Sequence, residues 1–277
     1  MTIERDREFL FTAQDFQVIS KLIYQRAGIS LNESKQELVY GRIARRLRAT
    51  GIKIFAEYLD LLQRNDAAEW EEFTNALTTN LTSFFREPHH FPILADHLRK
   101  LGKKTTINLW CSACSTGEEA YSMAMTVVET FASFDTPVRI IASDLDTSVL
   151  EAARLGRYKL DLTAKMSKQQ LDKFFVYGQG DDSGFVLVRP ELKKMISFRR
   201  INLLDTILPI REKLEVIFCR NVMIYFDKET QFAILKKFSP LLSGDGLLFA
   251  GHSENLFHAD AYFKLRAHTV YEKSGGK

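Results

Sequence analysis

Hydrophobic residues near the amino terminus recur at the spacing of an amphipathic helix. The first such stretch begins with a capping-box pattern at Thr12 and Asp15 and stops at Gly28. Its apolar positions lie three or four residues apart, at Phe16, Ile19, Ile23 and Ala27. The pattern predicts a capped helix with one buried face.

Two later stretches have the same spacing. A second helix is predicted over about 34–50, where Gly51 ends the run and the apolar stripe consists of Val39, Ile43 and Leu47. Trp70, Phe73 and Leu77 mark a further helix. We therefore predict a helical domain over residues 1–80, with its helices packed as a small bundle.

From about residue 81 onward the pattern changes to alternating strands and helices. Apolar runs predict strands near 106–110, 138–143, 196–199, 216–219 and 247–250, and helices are predicted at about 88–101, 118–131, 148–155 and 228–241. Such alternation is typical of a parallel sheet covered by helices, so we predict one α/β domain over 81–277. Alternating residues over 262–271 predict antiparallel strands that close the sheet.

Residues 157–200 interrupt this alternation. Two β-rich runs, 174–177 and 185–188, flank a turn-forming loop from Gly178 to Gly184. The pattern predicts a hairpin within a small antiparallel β subdomain inserted in the α/β domain. Insertions of this kind often carry partner specificity.

The candidate chemistry lies at the predicted carboxyl ends of the strands. The first strand passes through a turn of small residues, 112–117, directly into a helix, and the next strand ends in Asp144. In an open α/β sheet such a turn lets a ligand approach the backbone, and an acid after the next strand can bind a ribose. The turn contains Gly117 but no G-x-G-x-x-G, and Glu118 and Glu119 would repel a pyrophosphate. The pattern therefore favours S-adenosylmethionine and a methyltransferase over a dinucleotide and a dehydrogenase.

Cysteines lie beside the same turn. Cys111 and Cys114 form a C-x-x-C, and Cys219 is the third thiol of the chain. The pair is either a redox site, part of a zinc site with Cys219 and a histidine, or two small residues in a tight turn. Because Cys219 ends a different predicted strand and no histidine has a matching spacing, we favour packing and assign no metal.

Composition excludes several classes of protein. The 277 residues are 45% hydrophobic and 26% charged, as in ordinary globular domains. No apolar run approaches the roughly 18 residues of a membrane-spanning helix, and residues 1–7 are charged and lack the apolar stretch expected of a signal peptide. We expect a cytoplasmic protein without membrane insertion. A net charge of +3 does not by itself indicate nucleic-acid binding.

Positive charge is concentrated on the second predicted helix, at Lys35, Arg42, Arg45, Arg46 and Arg48. The cluster is either a solvated face or a docking surface for an acidic partner. Two other segments mix polar and apolar residues: 79–88, and 218–226, where Arg220, Asn221 and Tyr225 follow a strand. These three residues are expected at the same edge of the sheet as Asp144.

Five motifs, TNLTSFFRE, STGEEAYS, ASDLD, FCRNVMIYFD and LLFAGHSEN, together resemble the CheR family of chemotaxis receptor methyltransferases, over essentially the whole chain. The resemblance implies a helical amino-terminal domain and a class I methyltransferase (Rossmann-like) domain that carries an inserted β subdomain. It also implies transfer of the methyl group of S-adenosylmethionine to glutamate side chains of methyl-accepting receptors, with S-adenosylhomocysteine as the product.

The resemblance further implies roles for individual residues. Cofactor contacts would come from Asn80, Thr82, Arg86, Glu119, Asp144, Asn202, Leu203, Arg220 and Asn221, and Arg86 and Tyr225 would lie nearest to the transferred methyl group. The basic helix would face the receptor's acidic methylation helices through Arg42, Arg45 and Arg46. Gly178 and Gly180 resemble members that bind a receptor's carboxyl-terminal pentapeptide by strand addition. We expect a monomer without a nucleic-acid partner.

The expected reaction needs no catalytic base, because a glutamate side chain with a pKa of about 4.3 is already ionised at neutral pH. A carboxylate and a sulfonium give neutral products, so a dry and well-aligned site accelerates the transfer. Three alternatives remain: an RNA methyltransferase that uses the basic helix, a redox protein that uses Cys111 and Cys114, and a binding module with a degenerate cofactor site.

Overall fold

The chain divides into two compact units. The computed structural model describes residues 7–64, 66–102, 104–256 and 259–274. Unit 1 extends to Thr79 and includes Tyr225–Asp227, and unit 2 comprises Asn80–Ile224 and the residues from Lys228 onward. Within the described ranges, no helix is long and apolar enough to cross a membrane.

Unit 1 is helical. Its α-helices, in the part of the chain that is described, are α1 (Ala13–Ala27), α2 (Gln36–Thr50), α3 (Phe55–Gln63) and α4 (Ala67–Leu77). The predicted capping box is present: Asp15 N donates to Thr12 Oγ1 at 3.1 Å, and Thr12 N donates to Asp15 Oδ2 at 2.8 Å. The predicted apolar stripes of α1 and α2 are buried, which confirms both helices. Helix α3 was not predicted.

Segment Tyr225–Asp227 belongs to unit 1 through two hydrogen bonds. Ser30 N donates to the Tyr225 carbonyl at 2.8 Å, and Tyr24 Oη donates to Asp227 Oδ2 at 2.6 Å. The chain therefore returns to the helical unit between Ile224 and Lys228.

Unit 2 alternates helices and strands. The helices are α5 (His90–Leu101), α6 (Glu118–Phe131), α7 (Thr147–Leu155), α8 (Lys168–Phe174), α9 (Pro190–Lys194) and α10 (Lys228–Leu241). The strands are β1 (Ile107–Cys111), β2 (Val138–Asp144), β3 (Arg157–Lys159), β4 (Phe175–Tyr177), β5 (Phe185–Val188), β6 (Ile196–Arg200), β7 (Leu214–Cys219), β8 (Leu242–Ala250), β9 (Phe263–Ala267) and β10 (Val270–Lys273).

The main sheet has the order β6-β2-β1-β7-β8-β10-β9. The first five strands in this order, β6, β2, β1, β7 and β8, are parallel to one another. Strand β10 is antiparallel to both β8 and β9. The expected α/β class and its antiparallel closing strands are thus confirmed. The strand order reverses between β1 and β7, and ligands of such sheets bind beyond the carboxyl ends at this reversal. Because Cys111 lies opposite both Ala142 and Phe218, the segments after β1, β2 and β7 emerge together.

A second, antiparallel sheet has the order β3-β5-β4. Pairing of Tyr177 with Val186 confirms the predicted hairpin, and β3 adds a strand that was not predicted. Phe84 packs edge-on against Tyr158 and Phe175, with ring centroids 4.9 and 5.6 Å away. Aromatic packing therefore joins this small sheet to the rest of unit 2.

Candidate active site

The turn between β1 and α6 is held by both neighbouring strands. Ser112 N donates to the Phe218 carbonyl at 2.9 Å, and Cys114 N donates to the Ser143 carbonyl at 2.8 Å. Gly117 has φ 101°, and a Cβ here would lie 2.8 Å from Tyr158 Oη. Only glycine meets both conditions without strain. Tyr158, a residue of β3, also donates to the Thr116 carbonyl at 2.6 Å, so β3 helps to hold the turn in place.

Asp144 ends β2 next to this turn. Its Oδ2 accepts from Ser115 N at 2.8 Å, and its Oδ1 accepts from Asp146 N at 3.1 Å. Burial raises the pKa of Asp144 to about 6 and outweighs the effect of these hydrogen bonds. The side chain is still partly exposed. Because each carboxylate oxygen has a second lone pair, Asp144 can accept further hydrogen bonds from a vicinal diol.

Asn80 lies beside the same turn. Its Nδ2 donates to Asp146 Oδ2 at 2.7 Å, and its carbonyl accepts from Ser115 Oγ at 2.9 Å. The structure thus brings Asn80 and Asp144 together around Ser115. Asn202 and Leu203 follow β6 at the same edge, because Ile201 N donates to the Asp144 carbonyl at 3.2 Å.

A buried arginine connects several predicted residues. Arg220 Nη1 lies 2.7 Å from Glu119 Oε2, and Arg220 Nη2 lies 3.3 Å from Glu87 Oε2 and donates to the Arg86 carbonyl. Burial raises the pKa of Glu119, although Arg220 opposes this shift. The Arg86 guanidinium itself donates to the Leu81 carbonyl at 2.8 Å. Arg86, Glu119 and Arg220 are therefore neighbours.

Glu87 is a strongly acidic carboxyl within this network. Burial alone would raise its pKa, but hydrogen bonds from His252 and Asn221 and the charge of Arg220 hold the pKa at about 2. His252 Nδ1 lies 2.9 Å from Glu87 Oε1, and Asn221 Nδ2 donates to the same oxygen at 3.3 Å. Glu87 is therefore ionised at neutral pH and connects Asn221 to the segment after β8.

Glu87, His89 and His90 are the one group within the described ranges whose ligand atoms could hold a metal ion, all within 4.8 Å of one another. The surroundings are unfavourable for a cation. Arg220 is 3.3 Å from the Glu87 carboxylate and already balances its charge. The group also lies at the amino terminus of α5, where the helix dipole opposes positive charge. We therefore assign no metal here.

Family comparisons follow the division into two units. The model described as "CheR methyltransferase, SAM binding domain" matches residues 80–271, and "CheR methyltransferase, all-alpha domain" matches residues 14–78. The chain belongs to the CheR methyltransferase family. It is thus an S-adenosylmethionine-dependent methyltransferase, and the expected family, activity class and cofactor are confirmed.

Curated relatives of this CheR protein are similar over most of their length. The chemotaxis protein methyltransferase of Escherichia coli (strain K12) is 50% identical over 260 residues, which cover 94% of this chain and 90% of the relative. Chemotaxis protein methyltransferase 2 of Pseudomonas aeruginosa is 49% identical over 267 residues, which cover 96% and 95%. The likeness therefore includes both units.

The CheR cofactor fits the edge described above. Gly117 lets the turn approach a ligand closely, and Asp144 offers free lone pairs to two ribose hydroxyls. Glu118 and Glu119 start α6, so the turn offers no cradle for a phosphate. This donor set matches adenosine attached to a sulfonium better than a dinucleotide.

The cysteines of this CheR chain lie inside the fold. Cys111, Cys114 and Cys219 are buried and free of disulfides. Burial is the main cause of a raised pKa for each of the three thiols. Because redox chemistry proceeds through the thiolate, a buried thiol with a raised pKa is inert. Among the described residues the cysteines also form no metal-binding group.

The predicted receptor-facing arginines differ in their surroundings. Arg46 binds Glu69 at 2.7 Å and Glu72 at 2.8 Å, and its side chain is 19% exposed. Arg42 donates to the Thr78 carbonyl and to Thr79 Oγ1. Arg45 is exposed. Of the three side chains, Arg45 is the one without a hydrogen bond or ion pair to any described residue.

The remaining predicted residues lie in other parts of the fold. Tyr225 is in unit 1 and its hydroxyl donates to the Thr79 carbonyl at 3.5 Å. Gly178 follows β4, and a Cβ there would lie 2.1 Å from the Asp182 carbonyl oxygen. Gly180 has φ 60°. Both glycines are therefore required by the loop that joins β4 and β5.

Three residues that organise the site were not predicted from the sequence: Glu87, Gly251 and Glu254. Glu254 Oε2 accepts from Gly251 N at 2.6 Å and from Asn221 N at 2.9 Å. All three residues fall inside the motifs TNLTSFFRE and LLFAGHSEN. The motifs marked the segments, but their contacts depend on the fold.

Proposed function

We propose that the protein transfers methyl groups from S-adenosylmethionine to glutamate side chains of methyl-accepting chemotaxis receptors, with the cofactor bound at the carboxyl ends of β1, β2, β6 and β7. The observation that supports this most directly is the Asp144 carboxylate beside the Gly117 turn at the reversal of strand order. The proposed cofactor contacts are Asn80, Thr82, Arg86, Glu119, Asp144, Asn202, Leu203, Arg220 and Asn221.

In this proposal the charged side chains of the unit 2 site have defined tasks. Asp144 accepts hydrogen bonds from the ribose hydroxyls. Arg220 lies between Glu87 and Glu119, so its positive charge is balanced within the network and repels the cofactor's sulfonium less. The bound cofactor supplies an electrophilic methyl group on sulfur. The receptor glutamate attacks as a carboxylate, so no residue of the chain has to remove a proton.

Arg86 and Tyr225 are the proposed catalytic residues. The Arg86 guanidinium makes one hydrogen bond to the Leu81 carbonyl, which leaves other N–H groups to hold one carboxylate oxygen of the substrate or of the cofactor. Tyr225 donates a single hydrogen bond to the other substrate oxygen. A single bond orients the nucleophile and lowers its reactivity less than a bidentate grip would.

Methyl transfer to a receptor fragment, followed with a radiolabelled donor, tests these roles. Arg86→Ala should abolish transfer, and Tyr225→Phe should lower the rate while leaving cofactor affinity largely unchanged. Arg99→Ala is the matched control, since Arg99 is an exposed α5 residue paired with Asp96. Wild-type turnover in either test variant would remove that residue from the mechanism.

Receptor docking is proposed to involve the basic face of α2. Arg45 is the exposed contact with the receptor's acidic helices, and Arg42 and Arg46 complete the surface while they bind Thr79 and Glu69. Arg45→Glu should raise the KM for the receptor in low salt. Lys53→Glu, which changes the net charge equally outside α2, should not. Equal effects of both variants would refute a specific contact.

The inserted subdomain, at about 157–200, is proposed as a tether for a receptor's carboxyl-terminal pentapeptide. β4 is an edge strand, so its outer backbone groups can pair with an added strand. Gly178→Ala should weaken binding of a synthetic pentapeptide in calorimetry, because the loop after β4 must move. Absence of binding to the wild-type protein would refute the tether.

The domains at 1–80 and 81–277 would act in one cytoplasmic monomer, without nucleic acid or membrane insertion.

A further inference from the structure

The segment 220–224, which follows β7, has an unusual backbone. Asn221 has φ 58°, in the left-handed region that few residues other than glycine adopt. Arg220 precedes it and donates to the Arg86 carbonyl, and the Asn221 side chain donates to Glu87. The conformation of this segment therefore determines where several proposed cofactor contacts lie.

Glu254 holds this segment through its carboxylate. Oε2 accepts from Asn221 N at 2.9 Å and from Gly251 N at 2.6 Å, and the N–H groups of Met223 and Ile224 also interact with the carboxylate. The residue is 5% exposed. Within the part of the chain that is described, Glu254 has no ion-pair partner. Burial raises the pKa of Glu254, and the backbone N–H groups of segment 220–224 and of Gly251 oppose this shift by binding the carboxylate.

Gly251 allows the two backbones to come this close. A Cβ at this position would lie 2.6 Å from Asn221 Nδ2, 2.8 Å from Glu254 Oε2 and 2.9 Å from Asn221 N. Real Cβ atoms do not approach other atoms this closely, so any side chain here would displace Asn221, Glu254 or both. Gly251 thus leaves room for Asn221 to pack closely, and Glu254 holds Asn221 by a hydrogen bond.

We propose that Glu254 is a positioning residue for methyl transfer, because its buried carboxylate holds segment 220–224 in the conformation that presents Arg220 and Asn221 to the cofactor. Glu254 acts through these residues and does not itself touch the reacting atoms. The inference rests on the proposed function, since it uses the cofactor roles of Arg220 and Asn221.

Glu254→Gln tests the proposal with almost no change in shape. The amide oxygen can still accept from Asn221 N and Gly251 N, but it accepts less strongly than a carboxylate, so the two backbone N–H groups are held more weakly and the segment relaxes. We expect the Kd for S-adenosylhomocysteine to rise about tenfold or more. The kcat should also fall, because Arg220 binds the Arg86 carbonyl, while the KM for the receptor stays unchanged. Glu254→Asp, which keeps the charge, should recover part of both losses.

Glu215→Gln is the matched control. Glu215 is also a buried carboxylate on a backbone N–H, with Oε2 accepting from Asn108 N at 2.7 Å, but it lies near the amino end of β7. It should lower the Tm without changing the Kd for S-adenosylhomocysteine. Loss of affinity in proportion to the loss of Tm in both variants would reduce Glu254 to a stability role and overturn the proposal.

Gly251→Ala gives a second test that keeps the Glu254 carboxylate but crowds it and Asn221. It should weaken binding of S-adenosylhomocysteine, whereas Gly244→Ala, at a position with open space around it, should not. Wild-type affinity and kcat in Glu254→Gln or in Gly251→Ala would contradict the proposal. Failure of the wild-type protein to methylate any receptor fragment would instead refute the proposed function, whatever the variants do.

Discussion

At the scale of single residues, Asp144 is defined by its surroundings more than by its type. Two backbone N–H groups orient the carboxylate, and burial raises its pKa to about 6 from the usual 3.8. In the proposed site the ribose hydroxyls of the cofactor donate to this carboxyl group, and the ionised form accepts more strongly than the protonated form. The proposal therefore couples binding of the cofactor to loss of the Asp144 proton.

This coupling predicts how affinity depends on pH. The Kd for S-adenosylhomocysteine should rise as the pH falls through about 6, because protonated Asp144 has lost acceptor capacity. Asp144→Asn should weaken binding by about tenfold or more, from the roughly 1.5–3 kcal/mol of hydrogen bonds to a charged group, and should flatten this pH dependence. Calorimetric titrations across the pH range measure both effects. Unchanged affinity in the variant would contradict the role of Asp144.

The same shift predicts the stability of the ligand-free protein. The pKa of Asp144 is about 6 in the folded protein and 3.8 in the unfolded chain, so the folded protein binds this proton more tightly. Protonation of Asp144 therefore adds to the free energy of unfolding below pH 3.8, and this contribution is lost as the pH rises through about 6. Above pH 6 ligand-free Asp144→Asn should therefore gain stability relative to the wild type. Urea unfolding on both sides of pH 6 checks this, and an equal difference at both pH values would contradict it.

Which residues sequence could predict depends on how local their signals are. Gly117 and Asp144 follow predicted strands, so topology alone places them at one edge. Glu254 contacts Asn221 but lies 33 residues further along the chain, after α10 and β8. No short pattern encodes that contact, and the motif containing Glu254 gave only a resemblance.

At the scale of elements, a clear end signal accompanied the prediction of α1 but did not suffice for α8, whose capping box at Ser167 and Gln170 precedes only seven helical residues. α1 has a capping box and a terminal glycine. α3 buries Phe55, Tyr58, Leu59 and Leu62 at helical spacing, but Ile54 precedes it and makes no capping hydrogen bond. β3 has three residues with one buried side chain, Tyr158, so its pattern is too short to recognise.

Two glycines in or after α2 provide a stability prediction. A Cβ at Gly41 or at Gly51 would meet open space, but Gly51 has φ 75° and Gly41 lies inside the helix. Gly41→Ala should therefore stabilise the protein by roughly 0.5–1 kcal/mol, and Gly51→Ala should destabilise it. Thermal unfolding measures both. A lower Tm for Gly41→Ala would mean that α2 is not the regular helix described.

At the scale of the whole molecule, the chain combines a helical unit and a cofactor-binding α/β unit that match separate CheR models. Periodicity alone predicted the change from helices to alternating elements near residue 80. It did not predict the return of Tyr225–Asp227 to the helical unit, because that return depends on hydrogen bonds to Ser30 and Tyr24.

Mass spectrometry of a chemotaxis receptor's cytoplasmic fragment, after incubation with the protein and S-adenosylmethionine, tests the central claim most directly. The account predicts base-labile methyl esters on glutamate side chains, formed by the wild-type protein and absent with Arg86→Ala. Methyl groups found only on nitrogen, on sulfur or on nucleic acid, or esters formed equally by Arg86→Ala, would contradict it.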